Sequence, residues 1–174
     1  VSGSGMHINM SLSKDGVNIF DNEEDKLGLS QEAYYFIGGI MKHMKGMTVI
    51  TNPIVNSYKR FVPGYEAPIY ITWSATNISP LIRIPAACGE GRRVELRNPD
   101  PSANPYLVLA LCLAAGIDGI KNKIQPDAEL RENVFELTEQ DKKRLGIESL
   151  PADLHEAVEC LKSDDFIREI LGEH

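Results

Sequence analysis

The sequence predicts an α+β fold in which an antiparallel sheet packs against helices. Three observations lead there. His7–Leu12 and Arg93–Arg97 alternate polar and apolar residues with the period of two that a half-buried strand requires. Ser30–Lys45 carries Ala33, Ile37, Ile40, Met41 and Met44 at helical spacing. The last third of the chain is polar and helical in pattern, so strands precede helices rather than alternating with them.

Taken in order, His7, Asn9 and Ser11 fall on one face of the opening strand, and Ile8, Met10 and Leu12 on the other. Lys14-Asp15-Gly16 reads as a hairpin turn from which Val17–Phe20 returns. Ser30 caps the first long helix, and Gly46 stands where that helix is expected to end. A loop from Thr51 to Pro68 holds Pro53, Pro63 and Gly64, and loops of that length inside compact domains are usually functional or disordered. Ile69–Ser74 and Leu81–Ile84 are short strands, followed by Arg93–Arg97. Asn104-Pro105 is a helix start with proline at the first position, and Tyr106–Ile117 is apolar nearly all round, which predicts a central, buried helix. Thr138–Asp141 resembles a capping box, and Pro151–Leu161 and Asp164–Leu171 supply two further amphipathic helices.

Composition narrows the function. With 174 residues and 43% hydrophobic content the chain can bury one core, and one domain is expected. A net charge of −7 leaves no basic excess for neutralising a phosphate backbone, so no nucleic-acid partner is expected. Cys88, Cys112 and Cys160 are odd in number and lack metal-ligand spacing, the pattern of a reduced, cytoplasmic protein. No apolar run reads as a membrane span, and no membrane partner is expected. Val1-Ser2-Gly3-Ser4-Gly5 opens straight into a strand, which reads as a segment of a longer polypeptide.

The chemically pointed residues lie on strand faces and in the long loop. Arg93, Glu95 and Arg97 share one face of a strand backed by Val94 and Leu96, which reads either as weak surface ion pairs or as an anion-handling surface with a metal at Glu95. Arg83 is embedded among Leu81, Ile82 and Ile84 and requires an anion or solvent. His7 is a candidate metal ligand. Arg60 and Glu66 sit in the loop, Glu66 between Gly64 and Pro68 as on a lid. Together they point to a phosphate, a carboxylate and a divalent metal handled at one place.

The ordered blocks Gly3-Ser4-Gly5-Met6-His7, Asn56-Ser57-Tyr58-Lys59-Arg60, Pro63-Gly64-Tyr65-Glu66-Ala67-Pro68, Arg83-Ile84-Pro85, Arg93-Val94-Glu95-Leu96-Arg97 and Asp100–Tyr106 resemble the C-terminal part of the catalytic domain of type I glutamine synthetase, across essentially the whole chain. The resemblance implies ATP-dependent joining of ammonia to glutamate through γ-glutamyl phosphate, with Mg2+ or Mn2+, in a cytoplasmic homo-oligomer that is a dodecamer when full-length. It implies that residues 1–174 are a catalytic-domain segment, with an N-terminal domain and the first part of the catalytic domain lying outside it. It implies metal ligation by His7 and Glu95, nucleotide contacts from Asn9, Ser11, Arg83 and Arg93, and glutamate contacts from Gly3, Arg60, Glu66 and Arg97. Glu66, Arg60 and Arg83 are the implied catalytic residues.

The sequence also departs from the family pattern. Ile78 stands where the family has an arginine near the reacting phosphoryl group, Ser2 replaces an asparagine, and Phe135 occupies the position of a tyrosine that some relatives adenylylate. These departures keep two alternatives open: a γ-glutamyl-polyamine ligase of the same fold, and a non-catalytic paralogue that senses nitrogen status.

Overall fold

The structure is a computed structural model describing residues 4–65, 67–77 and 79–172. Ser2, Gly3, Glu66 and Ile78, all singled out by sequence, lie outside the described residues. Four short strands form one sheet in the order β1 (Ile8–Met10), β6 (Val94–Leu96), β5 (Ile82–Arg83), β4 (Trp73–Ser74). The β1–β6 and β5–β6 pairs are antiparallel as expected, whereas β4 runs parallel to β5, so the sheet is mixed. A separate hairpin pairs β2 (Ser13–Lys14) with β3 (Val17–Asn18) across Asp15-Gly16. Both turn residues have positive φ, 55° and 81°, as the hairpin turn demands.

Helix α1 spans Gln31–Thr51, with the Ser30 side chain accepting from the Ala33 N–H. Gly46 therefore lies inside the helix rather than beyond its end. A β-carbon there would sit 2.9 Å from Asp164, so this glycine serves close packing, not termination. The long loop shortens accordingly and contains a single-turn helix, α2 (Val55–Tyr58). Helix α3 (Pro105–Asn122) starts at an Asn104 cap whose side chain accepts from the Tyr106 and Leu107 N–H groups. Three shorter helices follow: α4 (Glu139–Arg144), α5 (Leu154–Ser163) and α6 (Asp165–Leu171), capped by Thr138, Asp153 and Asp164.

The core lies between the sheet and the α1–α3 pair. Phe20, Phe36, Ile37, Ile40 and Met44 meet Ile82, Val94 and Leu96, all of them fully buried or nearly so. The two helices cross at glycine: a β-carbon on Gly39 would stand 2.1 Å from the Ala115 carbonyl oxygen, and one on Gly119 would stand 2.0 Å from that of Tyr35. His43 of α1, only 4% exposed, places its ring nitrogens 3.0 Å from Asp118 of α3 and 3.0 Å from Asp164 at the start of α6.

Two expectations for α3 are corrected here. The helix is not buried all round. Val108, Leu111, Cys112 and Ala115 face the core, while Tyr106 is 82% exposed and Leu107, Leu109 and Leu113 are each more than two-fifths exposed. Apolar composition cannot distinguish a helix covered on every side from one with an open apolar face. With a mean hydropathy of 1.2 over 18 residues, α3 also has the length and composition of a membrane span, against the earlier reading. The packing of its inner face on α1 is that of a core helix.

Candidate active site

The strand register assembles the site. Asn9 pairs with Glu95, and Glu95 pairs with Arg83, so three residues from β1, β6 and β5 form one row across the sheet. Each owes its place to the apolar residues beside it: Val94 and Leu96 are fully buried and turn Glu95 to the opposite face, and Ile82 does the same for Arg83. His7, just before β1, brings Nδ1 to 3.4 Å from Glu95 Oε1. Arg83 Nε donates to Glu95 Oε2 at 2.5 Å, and Arg97 Nε lies 3.7 Å from the same oxygen.

Glu95 is thus split in function. Oε2 faces two guanidinium groups and Oε1 faces an imidazole. The residue is only 5% exposed, which by itself pushes its carboxyl upward, but the Arg83 hydrogen bond and the charges of Arg83, His7 and Arg97 outweigh burial and hold it below the ordinary carboxylate value. Burial together with the Arg97 charge lowers His7 despite the pull of Glu95, favouring the neutral ring that ligates metals. Neutral His7 keeps one unprotonated ring nitrogen, and with the Glu95 carboxylate beside it the pair fits a divalent cation. Among the described residues no third His, Cys, Asp or Glu joins them. They fit as part of a coordination shell.

The surface reading of the Arg93–Glu95–Arg97 face does not hold. Glu95 and Arg97 are each 5% exposed, and Arg97 Nη1 also donates to the Pro80 carbonyl. Arg93 is more open; its Nε donates to Asn9 Oδ1 at 3.1 Å and its Nη1 to the Gly91 carbonyl at 2.9 Å. Arg60 is fastened through Nη1 to the Asn98 and Pro99 carbonyls at 3.2 and 3.4 Å, with Asp100 Oδ2 at 3.8 Å. Burial lowers the Arg60 guanidinium and Asp100 opposes that shift. Gly5 keeps this approach open: a β-carbon there would lie 2.8 Å from Arg60 Nη2 and 3.6 Å from His7 Nε2. Arg60 and His7 consequently both border one glycine. Ser11 lies beyond the end of β1, exposed, and among the described residues no hydrogen bond draws it into this cluster.

Sequence reasoning missed the residues beneath the site. Asn98 Nδ2 donates to Thr51 Oγ1 and Asn52 Oδ1, and Asn52 Nδ2 donates back to the Asn98 carbonyl, all three residues being fully buried. This network ties the end of α1 to the segment after β6 from which Arg60 hangs. Asp100 was read only as part of a family block, with no role at the site. Its signal was present in Asp100-Pro101-Ser102, where Oδ1 accepts from the Ser102 N–H and hydroxyl.

With this geometry in hand, comparison with known proteins decides the family. The family model for the glutamine synthetase catalytic domain matches residues 1–174. The chain belongs to the glutamine synthetase catalytic-domain family. It is 59% identical over 174 residues to the glutamine synthetase of Clostridium saccharobutylicum and 57% identical over 174 residues to that of Methanosarcina mazei, in each case covering all of this chain and 39% of the relative. Among solved structures, one described as apo GmaS without ligand superposes with a TM-score of 0.84 at 39% identity, and a GmaS/ADP complex with 0.85 at 38%. Both alignments cover 99% of this chain and about two-fifths of the other. The chain therefore spans about two-fifths of the length of the curated relatives it matches.

Proposed function

We propose that this chain is the C-terminal segment of the catalytic domain of a glutamine synthetase, a cytoplasmic ligase joining ammonia to glutamate at the expense of ATP. The observation that carries the reading is the cross-strand row Asn9–Glu95–Arg83, with His7 on one side of Glu95 and Arg97 on the other. The family membership and the ADP complex of a superposable relative support it.

In the reaction, a carboxylate oxygen of glutamate takes the γ-phosphoryl group of ATP and ADP leaves. Ammonia then attacks the acyl carbon, phosphate departs with the bonding pair, and the nitrogen loses a proton. Every stage concentrates negative charge, and the cationic face supplies fixed opposite charge there. His7 and Glu95 would hold a divalent ion, Mg2+ or Mn2+, which when bound neutralises phosphate charge. Arg83, through the 38% of its side chain left exposed, and Arg93 meet the nucleotide phosphates. Asn9, paired with Arg93, and Ser11 lie along the nucleotide. Arg60 and Arg97 are assigned to the glutamate carboxylates, to which planar guanidinium groups can donate two parallel bonds. Glu66 takes the proton from ammonium and Gly3 borders the amino acid. The protein acts as a homo-oligomer, a dodecamer for the full-length polypeptide.

The test is γ-glutamyl hydroxamate formation and ADP release by the full-length protein, with an amine panel. Release dependent on glutamate and ammonia, lost in Glu95→Gln, supports the reading. Turnover only with a polyamine moves the assignment to a γ-glutamyl-polyamine ligase. Ligand binding without turnover moves it to a nitrogen-sensing paralogue.

A further inference from the structure

The β2–β3 hairpin lies outside the sheet and holds none of the residues assigned above to substrate or metal, yet it carries a buried amide with an unusual set of partners. Asn18, 7% exposed, directs its Nδ2 at three backbone carbonyls of one turn: Gly89 at 3.3 Å, Glu90 at 3.1 Å and Arg92 at 2.8 Å. Its Oδ1 accepts from the Phe20 N–H at 2.9 Å, which fixes which end of the amide points to the turn. Three residues on, Asp21 Oδ1 accepts from the Gly89 N–H at 2.9 Å and from Arg92 Nε at 3.1 Å.

The turn so gathered is the single-turn helix Gly89–Gly91, and it leads directly into Arg93 and β6. Gly89 adopts a φ of +55°, a conformation with little intrinsic preference to hold itself. Asn18 reaches the carbonyls of Gly89, Glu90 and Arg92, the first shared with the Arg92 N–H that closes the turn, and the Gly91 carbonyl accepts from Arg93 Nη1. Arg93 Nε is spent on Asn9. The orientation of the Arg93 side chain is therefore set at two points, one on β1 and one on a turn that the hairpin braces through the Asn18 amide and the Asp21 carboxylate, in addition to the turn's own backbone bonds.

We infer that Asn18, backed by Asp21, is a positioning residue for Arg93 and thereby for nucleotide binding. The inference rests on the nucleotide role proposed above for Arg93 and Asn9. Arg60 and Arg97 are anchored elsewhere, on the Asn98, Pro99 and Pro80 carbonyls, so the clamp acts on one substrate and not the other.

The experiment is steady-state kinetics of the full-length protein carrying Asn18→Asp, which keeps the acceptor for Phe20 and removes the donor to the turn. Because a misplacement of about 1 Å can cost two orders of magnitude, the KM for ATP is expected to rise about tenfold while that for glutamate stays within about twofold. Equal changes in both, or a change in neither, overturn the inference. If Asn18→Asp does not fold by circular dichroism, Asp21→Asn decides by the same comparison, since it retains the acceptor for Gly89 and loses the charge facing Arg92. A wild-type enzyme without ATP- and glutamate-dependent turnover overturns the underlying reading instead, and the inference with it.

Discussion

Glu95 shows how one buried charge can be worth more in place than its surroundings suggest. Taking a carboxylate and a guanidinium out of water costs several kcal/mol, and the attraction between them returns that only when their geometry is good. Here Arg83, Arg97 and His7 converge on one carboxylate, and Arg97 is buried with it. Replacing Glu95 by Gln removes the one carboxylate on which Arg83, Arg97 and His7 converge. The expected loss of unfolding free energy at neutral pH is about 3 kcal/mol; a urea midpoint unchanged from wild type would contradict this. The pH dependence has a definite sign. The carboxyl is held below its ordinary value of 4.5 in the folded protein, so the stability it adds is complete above about pH 4.5 and is lost as pH falls through the lowered value. Urea unfolding between pH 3 and 7 checks it: the Glu95→Gln protein lacks that component of acid destabilisation.

At the scale of elements, the α1–α3 crossing makes two opposed effects comparable. Alanine is favoured over glycine inside a helix by about 1 kcal/mol. At Gly39 and Gly119, however, the added methyl would land about 2 Å from a carbonyl oxygen of the facing helix, and backbone cannot swing aside as a side chain can. Overpacking of this kind costs about 1–3 kcal/mol, so steric strain wins, and Gly119→Ala is expected to lower stability by about 2 kcal/mol despite its better propensity. Calorimetry measures it, and a raised melting temperature would show that the helices separate freely. The same residues explain what was legible beforehand. Alternation in Val94-Glu95-Leu96 gave the faces of β6, and the Ser30 and Asn104 caps gave both helix starts, because these are local devices. Gly46 was misread as a terminus because glycine at a helix end and glycine at a tight packing point look alike in one dimension. Which strand would bring Arg83 opposite Glu95 was not readable, since register depends on residues 12 positions apart. Asn18 escaped notice for the same reason: its partners lie 71 to 74 residues away.

At the scale of the whole molecule, the chain covers about two-fifths of its relatives' length, and both the site and the outer face of α3 bear on that. His7 and Glu95 supply two donors where a divalent ion takes six or more oxygen or nitrogen ligands. On the other side, Tyr106, Leu109 and Leu113 recur at helical spacing on one exposed stripe. Scattered exposed leucines are ordinary, but a contiguous stripe of them marks a surface that is covered in use. We propose that the rest of the polypeptide supplies both the further ligands and the cover. Two outcomes are then expected of the 174-residue chain alone. It forms no γ-glutamyl hydroxamate with ATP, glutamate and a divalent metal. It also self-associates through α3, because burying a leucine side chain is worth about 1.5–3 kcal/mol and no other cover is at hand. Sedimentation of the wild-type chain against a Leu109→Lys, Leu113→Lys double variant separates the contributions. These two side chains point away from the core, so the variant is expected to keep its circular dichroism while its association weakens at least tenfold, the equivalent of about 1.4 kcal/mol. Association unchanged in the variant would place the contact on another surface, and hydroxamate formation by the isolated chain would show that two protein ligands are enough.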